Sequence, residues 1–187
     1  MKENKIIQAA RQLFAEKGYK DTSMADIVKA SNSSKGNVYY HFKSKEDLFL
    51  HVIEEDDKAW EESWKKEQQK YKTARDQLLG LANFSAVRDA HHPLNRAFAE
   101  FYSQPNHSPA IQEKMNELSD RYISIIENII VKGNQNKEWN VSDVKQVSAI
   151  ATAIFTGLEI HTNRDSVQKR QEVFRRTIEI FIGGINE

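Results

Sequence analysis

The chain has no cysteine, which excludes disulfide cross-links and thiolate metal sites and suits a reducing compartment. Net charge is absent as well, 27 basic side chains standing against 27 acidic ones. No long apolar run is present. The longest, Ala149 to Ile160, is interrupted by threonines, a glycine and Glu159, and is too short to span a bilayer. Met1-Lys2-Glu3-Asn4 leads straight into an amphipathic, charge-dotted segment without the apolar stretch of a signal peptide, so a cytoplasmic protein with no membrane attachment is expected. Repeats, low-complexity tracts and flexible linkers are missing. So are a Gly-x-Ser-x-Gly elbow, a phosphate-cradling glycine loop and a cysteine nucleophile. The histidines, His41, His51, His91, His92, His107 and His161, include no His-x-x-x-His pair. An enzyme, a metal site and a bound cofactor are therefore not expected.

What is present is an apolar content of 39%, enough to build a real core in one large or two small domains, and an uneven spread of charge. The first fifty residues carry nine basic and six acidic side chains. The remainder is acidic by the same margin. A basic N-terminal part on an acidic body suits a polyanion at one end only.

That end contains the stretch Ser33-Ser34-Lys35-Gly36-Asn37-Val38-Tyr39-Tyr40-His41-Phe42. Small hydroxyls, a glycine, basic groups and two tyrosines make a poor core but a good grip on nucleic acid. Upstream, Ser23 can cap a short helix with apolar Met24, Ile27 and Val28. Ser31-Asn32-Ser33 breaks it, and Ser33 or Ser34 can cap a second helix to about His41. Helix, tight turn, helix is the layout that puts the first turn of its second helix into a major groove. Gly36 there costs roughly 1 kcal/mol of helix stability against alanine, which makes sense where backbone must come close to base edges. Lys35, Tyr39, Tyr40 and His41 can donate to phosphates; Ser34 and Asn37 are placed for bases. The alternative is an ordinary helical hairpin with half-buried tyrosines.

A first helix is expected from about Asn4 to Lys17, because Ile6, Ala9, Ala10, Leu13 and Phe14 share one face, with Gly18 as a left-handed C-terminal cap. Ser44 starts a long helix without a breaker before about Lys72, with Lys45 in its first turn facing a phosphate. On it, Asp57, Trp60 and Trp64 share a face, with Asp56 adjacent. Carboxylate beside indole suits an organic cation; the plain alternative is a solvated acidic run next to two core tryptophans. Further helices are expected over Thr73–Ala90, stopped by His91-His92-Pro93, over Leu94–Tyr102, and from Pro109 to about Gly133. Trp139 is placed to anchor a polar loop. The last two helices, lined by Val144, Val147, Ala151, Ile154, Phe155 and Leu158 and by Phe174, Ile178, Phe181, Ile182 and Ile185, carry more apolar surface than one face needs. A two-fold four-helix bundle would use it; burial within one chain is the alternative.

Residues 4 to 50 resemble the DNA-binding domain of the TetR family of bacterial transcriptional repressors. The likeness lies in Ala9-Ala10-x-x-Leu13-Phe14, Gly18-Tyr19, Thr22-Ser23-x-x-x-Ile27, Lys35-Gly36-x-x-Tyr39-Tyr40-His41-Phe42 and Lys45-Glu46-x-Leu48. The remainder is more loosely similar to a multidrug-binding member of that family. The resemblance implies an all-α fold of about nine helices. An N-terminal three-helix helix-turn-helix domain (1–46) would be followed by a helical ligand-binding and dimerisation domain (47–187). It implies a homodimer on double-stranded, palindromic operator DNA, read by Ser23, Ser33, Ser34, Lys35, Gly36, Asn37, Tyr39, Tyr40, His41 and Lys45. A small hydrophobic or amphipathic effector would be held by Asp56, Asp57, Trp60, Asp89, His92, Tyr102 and Tyr122. The sequence departs from that member where His91 and His92 replace tyrosines, Ser119 replaces a carboxylate beside Asp120, and His161 replaces an aromatic. Fewer aromatics and one fewer acid favour a neutral or smaller ligand over flat cations. An architectural DNA-binding or interaction module without an effector, and a small helical enzyme, are the competing classes.

Overall fold

The computed structural model describes residues 2–88, 90 and 92–185. Among the described residues the regular structure is helical: α1 (Lys2–Lys17), α2 (Met24–Ala30), α3 (Lys35–His41), α4 (Lys45–Glu67), α5 (Ala74–Arg88), α6 (Asn95–Tyr102), α7 (Pro109–Gln135), α8 (Val144–His161) and α9 (Val167–Gly184), with one 3-10 turn, Gln68–Lys70. The ends follow local chemistry. Gly18 takes φ +82° and its amide returns to Phe14 O, closing α1 as a left-handed cap requires. Thr73 Oγ1 accepts from Asp76 N at 2.9 Å to start α5, and Pro109 opens α7. The α4 helix stops at Glu67, short of Lys72, and the chain turns through Gln68–Lys70.

The chain divides into two compact units: Met1–Ala59 with His92–Leu118, and Trp60–His91 with Ser119–Glu187. In the first, Ile6, Ala10, Phe14, Ile27 and Val38 form a small core, all at 0% exposure. It does not end with the third helix. Phe14 meets Phe49 edge-on at 4.7 Å, and Tyr19 meets Phe49 at 5.0 Å and Phe101 at 5.1 Å, so α4 and α6 complete it. Glu100 of α6 also accepts from Lys20 N at 2.8 Å. Burial pushes the Glu100 carboxyl up, but this amide and the Arg96 guanidinium outweigh it and hold the group below its usual value.

In the second unit, Trp64, Leu78, Leu81, Ile126, Ile130, Phe155, Phe174 and Ile178 are buried. Gly133 does not end its helix, which continues to Gln135. Its role is spatial: a Cβ there would lie 2.0 Å from Trp139 ring atoms. Trp139 is 6% exposed and donates from Nε1 to Ile130 O at 2.8 Å, so it does anchor the polar loop. Arg170 of α9 is buried at 1% exposure. Its guanidinium donates to Ala86 O in the last turn of α5 (3.0 Å) and to Thr162 Oγ1 at the C-cap of α8 (3.0 Å). Two helix C-termini, each equivalent to roughly −0.5 charge, thus face one buried cation.

Candidate nucleic-acid interface

Ser23 starts α2 with a capping box: Asp26 N donates to Ser23 Oγ (3.1 Å), and Ser23 N donates to Asp26 Oδ2 (3.1 Å). The Ser23 hydroxyl also donates to Asp26 Oδ2 at 2.7 Å, and this bond leads in holding the Asp26 carboxyl below its usual value. In the turn, Asn32 takes φ +50°, a left-handed conformation in which asparagine is enriched, and Ser33 N reaches back to Val28 O at 3.3 Å. Ser34 caps α3 by accepting from Asn37 N at 3.2 Å. The chain passes from α2 to α3 within four residues because each is a cap or turn former.

Along α3, Val38 alone is fully buried, at 0% exposure. Lys35 and Gly36 are exposed, Tyr39 is 38% exposed and Tyr40 76%. An ordinary hairpin would use its phenols for packing; Tyr40 plainly does not. Lys35 Nζ stands 5.9 Å from the Tyr39 ring centre. His41 is half-buried, with Nδ1 3.9 Å from Glu3 Oε2 and its ring edge-on to Tyr40 at 5.2 Å. A Cβ at Gly36 would meet nothing within 4 Å, so nothing within the described protein requires glycine there. Lys45 differs from the other basic residues. Its ammonium donates to Tyr19 O (2.8 Å) and Lys20 O (3.4 Å) and lies 4.3 Å from the Tyr19 ring centre. Burial lowers its pKa, against the raising effect of Glu100, Asp21 and Glu46. An ammonium has three donors, so at most one N–H remains for a phosphate.

The residues expected to hold an effector fall in both units. Asp56, Asp57, His92 and Tyr102 belong to the first; Trp60 and Tyr122 belong to the second. Asp89, like His91, lies outside the described residues. Asp56 Oδ1 is taken by Arg11 Nη1 of α1, while Arg11 Nη2 donates to Glu55 Oε2 (3.1 Å) and Val52 O (3.3 Å). His92 Nε2 lies 3.7 Å from Asp56 Oδ2. Its Nδ1 accepts from Leu94 N at 3.3 Å, and its ring stacks on Phe98 at 5.5 Å. Tyr102 is half exposed, yet burial of its hydroxyl end and, secondarily, the Asp57 charge push the phenol up to about 12. In the second unit Trp60 meets Phe84 and Tyr122, each at 5.4 Å, and Tyr122 meets Phe155 edge-on at 6.3 Å. Sequence reasoning missed Arg11. It sits 45 positions from its carboxylate, and no local pattern marks such a pairing. Among the described residues no group of three or more His, Asp or Glu could hold a metal ion.

Residues 6–52 match the family model described as bacterial regulatory proteins, tetR family, and residues 56–187 match that of the QacR-like protein, C-terminal region. The HTH-type transcriptional regulator QacR of Staphylococcus aureus is 39% identical over 184 residues, 98% of each chain. The fatty acid metabolism regulator protein of Bacillus subtilis is 27% identical over 135 residues, covering 71% of this chain and 68% of that protein. Among solved structures, the transcriptional regulator FadR of Bacillus subtilis in complex with stearoyl-CoA superimposes with a TM-score of 0.81 at 21% identity, over 97% of this chain and 98% of that one. That level of identity establishes the fold. With both halves matched and a near full-length relative, the chain belongs to the TetR family of bacterial regulatory proteins, as a DNA-binding transcriptional repressor with a QacR-like C-terminal region.

Proposed function

We propose that residues 1–46 read a palindromic operator through α3, and that residues 47–187 bind a small hydrophobic effector and form a homodimer through α8 and α9. The observation that carries the first part is the division of labour on α3: Val38 serves the core while Lys35, Tyr39 and Tyr40 stay outward. Lys35, Tyr39, Tyr40 and His41 contact phosphates, and Ser34, Gly36 and Asn37 approach base edges. Ser23, Ser33 and Lys45 flank that face, contributing backbone order and a residual donor. Dimerisation is supported by Ile150, Ile160 and Ile180, which are 49%, 62% and 64% exposed on α8 and α9; two reading heads would then match two half-sites.

The effector residues are Trp60 and Tyr122, whose rings offer stacking surface, with Asp56, Asp57, Asp89, His92 and Tyr102. Asp56 already carries Arg11, which favours a hydrophobic effector, its charge carried at Asp57 if it has one. The FadR structure that shares this fold holds stearoyl-CoA, which supports an amphipathic molecule. No helix among the described residues is long and apolar enough to cross a membrane, in keeping with action in the cytoplasm. Release follows if the effector binds better to a conformer whose reading heads no longer match the half-site spacing.

The test uses a duplex selected by the wild-type protein from a random-sequence library. Lys35→Ala should weaken binding to every sequence and reduce the slope of log affinity against log salt by about 1, as removal of one phosphate contact requires. An unchanged slope would remove Lys35 from the phosphate contacts.

A further inference from the structure

A carboxylate has two oxygens, and in Asp56 they have different lives. Oδ1 is bound by Arg11, which also donates to Glu55 Oε2 and to Val52 O. Oδ2 is buried and has no hydrogen-bond partner among the described residues. A buried, unsatisfied acceptor costs about 1–3 kcal/mol, and such a group in a native protein calls for an explanation. His92 Nε2 lies 3.7 Å from it, just beyond hydrogen-bond length. Because His92 Nδ1 accepts from Leu94 N, the ring proton sits on Nε2, facing that oxygen. All these residues belong to one compact unit.

We propose that Asp56 is a positioning residue for the DNA-reading head. Its one oxygen holds Arg11 of α1 while its other faces His92, so that His92 acts on α1 through a shared carboxylate. A shift of a few tenths of an ångström brings Nε2 into bonding range of Oδ2. The carboxylate then divides its charge between two donors, and its grip on Arg11 changes. Arg11 is the only side chain of α1 that this carboxylate holds among the described contacts, so the change is felt at α1, against which α2 and α3 pack. The proposal rests on the assignment of α3 as the reading helix.

The experiment is a double-mutant cycle on the library-selected duplex, with Arg11→Met, Asp56→Asn and His92→Phe; the last keeps the ring stack on Phe98 and removes the nitrogen. Arg11→Met should weaken duplex binding by about tenfold, and His92→Phe should change it by about three- to tenfold in the wild-type background. In the Arg11→Met or Asp56→Asn background, His92→Phe should change it by less than about twofold, the signature of coupled residues. A second readout does not involve DNA. The Arg11 guanidinium NMR signal should move on His92→Phe and stay put when the same change is made on Asp56→Asn. Additive effects with an unmoved Arg11 signal would overturn the proposal. Should Arg11→Met fail to fold, Arg11→Lys, which keeps charge but loses the fork, takes its place with the same expectation. If the wild type selects no duplex, the operator reading fails, while the Arg11 signal still decides the relay.

Discussion

Gly36 is the residue at which folding and function pull in opposite directions, and replacing it with alanine separates them. In the free protein a Cβ at this position has open space, with nothing within 4 Å. The backbone of α3 there is ordinary right-handed helix, since Gly18 is the glycine at positive φ among the described residues. Steric cost is therefore nil, and the helix-propensity gain of alanine over glycine, about 1 kcal/mol in an interior and about half that in a first turn, should appear almost whole. For a chain of this size 1 kcal/mol moves Tm by about 2–4 °C, so Gly36→Ala should melt about 1–4 °C higher by far-ultraviolet circular dichroism. Operator binding should go the other way. A methyl group between α3 and the groove lifts the helix off the base edges, and losing even one good base contact, about 1–3 kcal/mol, lowers affinity by about tenfold or more. Both signs must hold together. A variant that melts higher and binds as well as wild type refutes the close approach of backbone to bases; one that melts lower refutes the open-space reasoning.

Gly133 predicts the reverse of that stability change. Gly133→Ala puts a methyl 2.0 Å from the Trp139 ring, expelling a buried indole and its bond to Ile130 O, so urea unfolding should register a loss of about 3–5 kcal/mol; a loss under about 1 would mean the loop gives way freely. Arg170→Ala removes the guanidinium donor from Ala86 O and from Thr162 Oγ1, which keeps only its bond to Leu158 O, and opens a void, for an expected cost of about 2–5 kcal/mol in the same assay, and near-neutral behaviour would show that the two helix ends do not rely on the guanidinium. Glu138 accepts from Ala74 N (2.8 Å), Arg75 N (2.9 Å) and Asn136 Nδ2 (2.9 Å). Burial raises its carboxyl, but these bonds prevail and its pKa lies below the usual value. Stability from this carboxylate is thus present above the unfolded-state pKa and lost as pH falls through the lower folded one. Glu138→Gln should be less stable than wild type at neutral pH, with the gap closing in acid; a pH-independent gap would contradict the assignment.

The amino-acid sequence by itself determined the features whose causes lie within a few residues. Apolar spacing produced the helices, Ser23, Ser34 and Thr73 started them, Gly18 closed α1, and the Ser31–Ser34 turn set α3 at an angle to α2 with only Val38 turned inward. The order of motifs from Ala9 to Leu48 also made the family legible, because those residues serve one short-range architecture. Tertiary structure alone decided the pairings made across tens of positions. These gave Arg11 to Asp56, spent most of the Lys45 ammonium on Tyr19 and Lys20, and buried Arg170 against the end of α5. The reason is physical. Capping and periodicity act through bonds of three or four residues' reach, whereas which charge neutralises which carboxylate depends on how helices pack, and no local pattern encodes that.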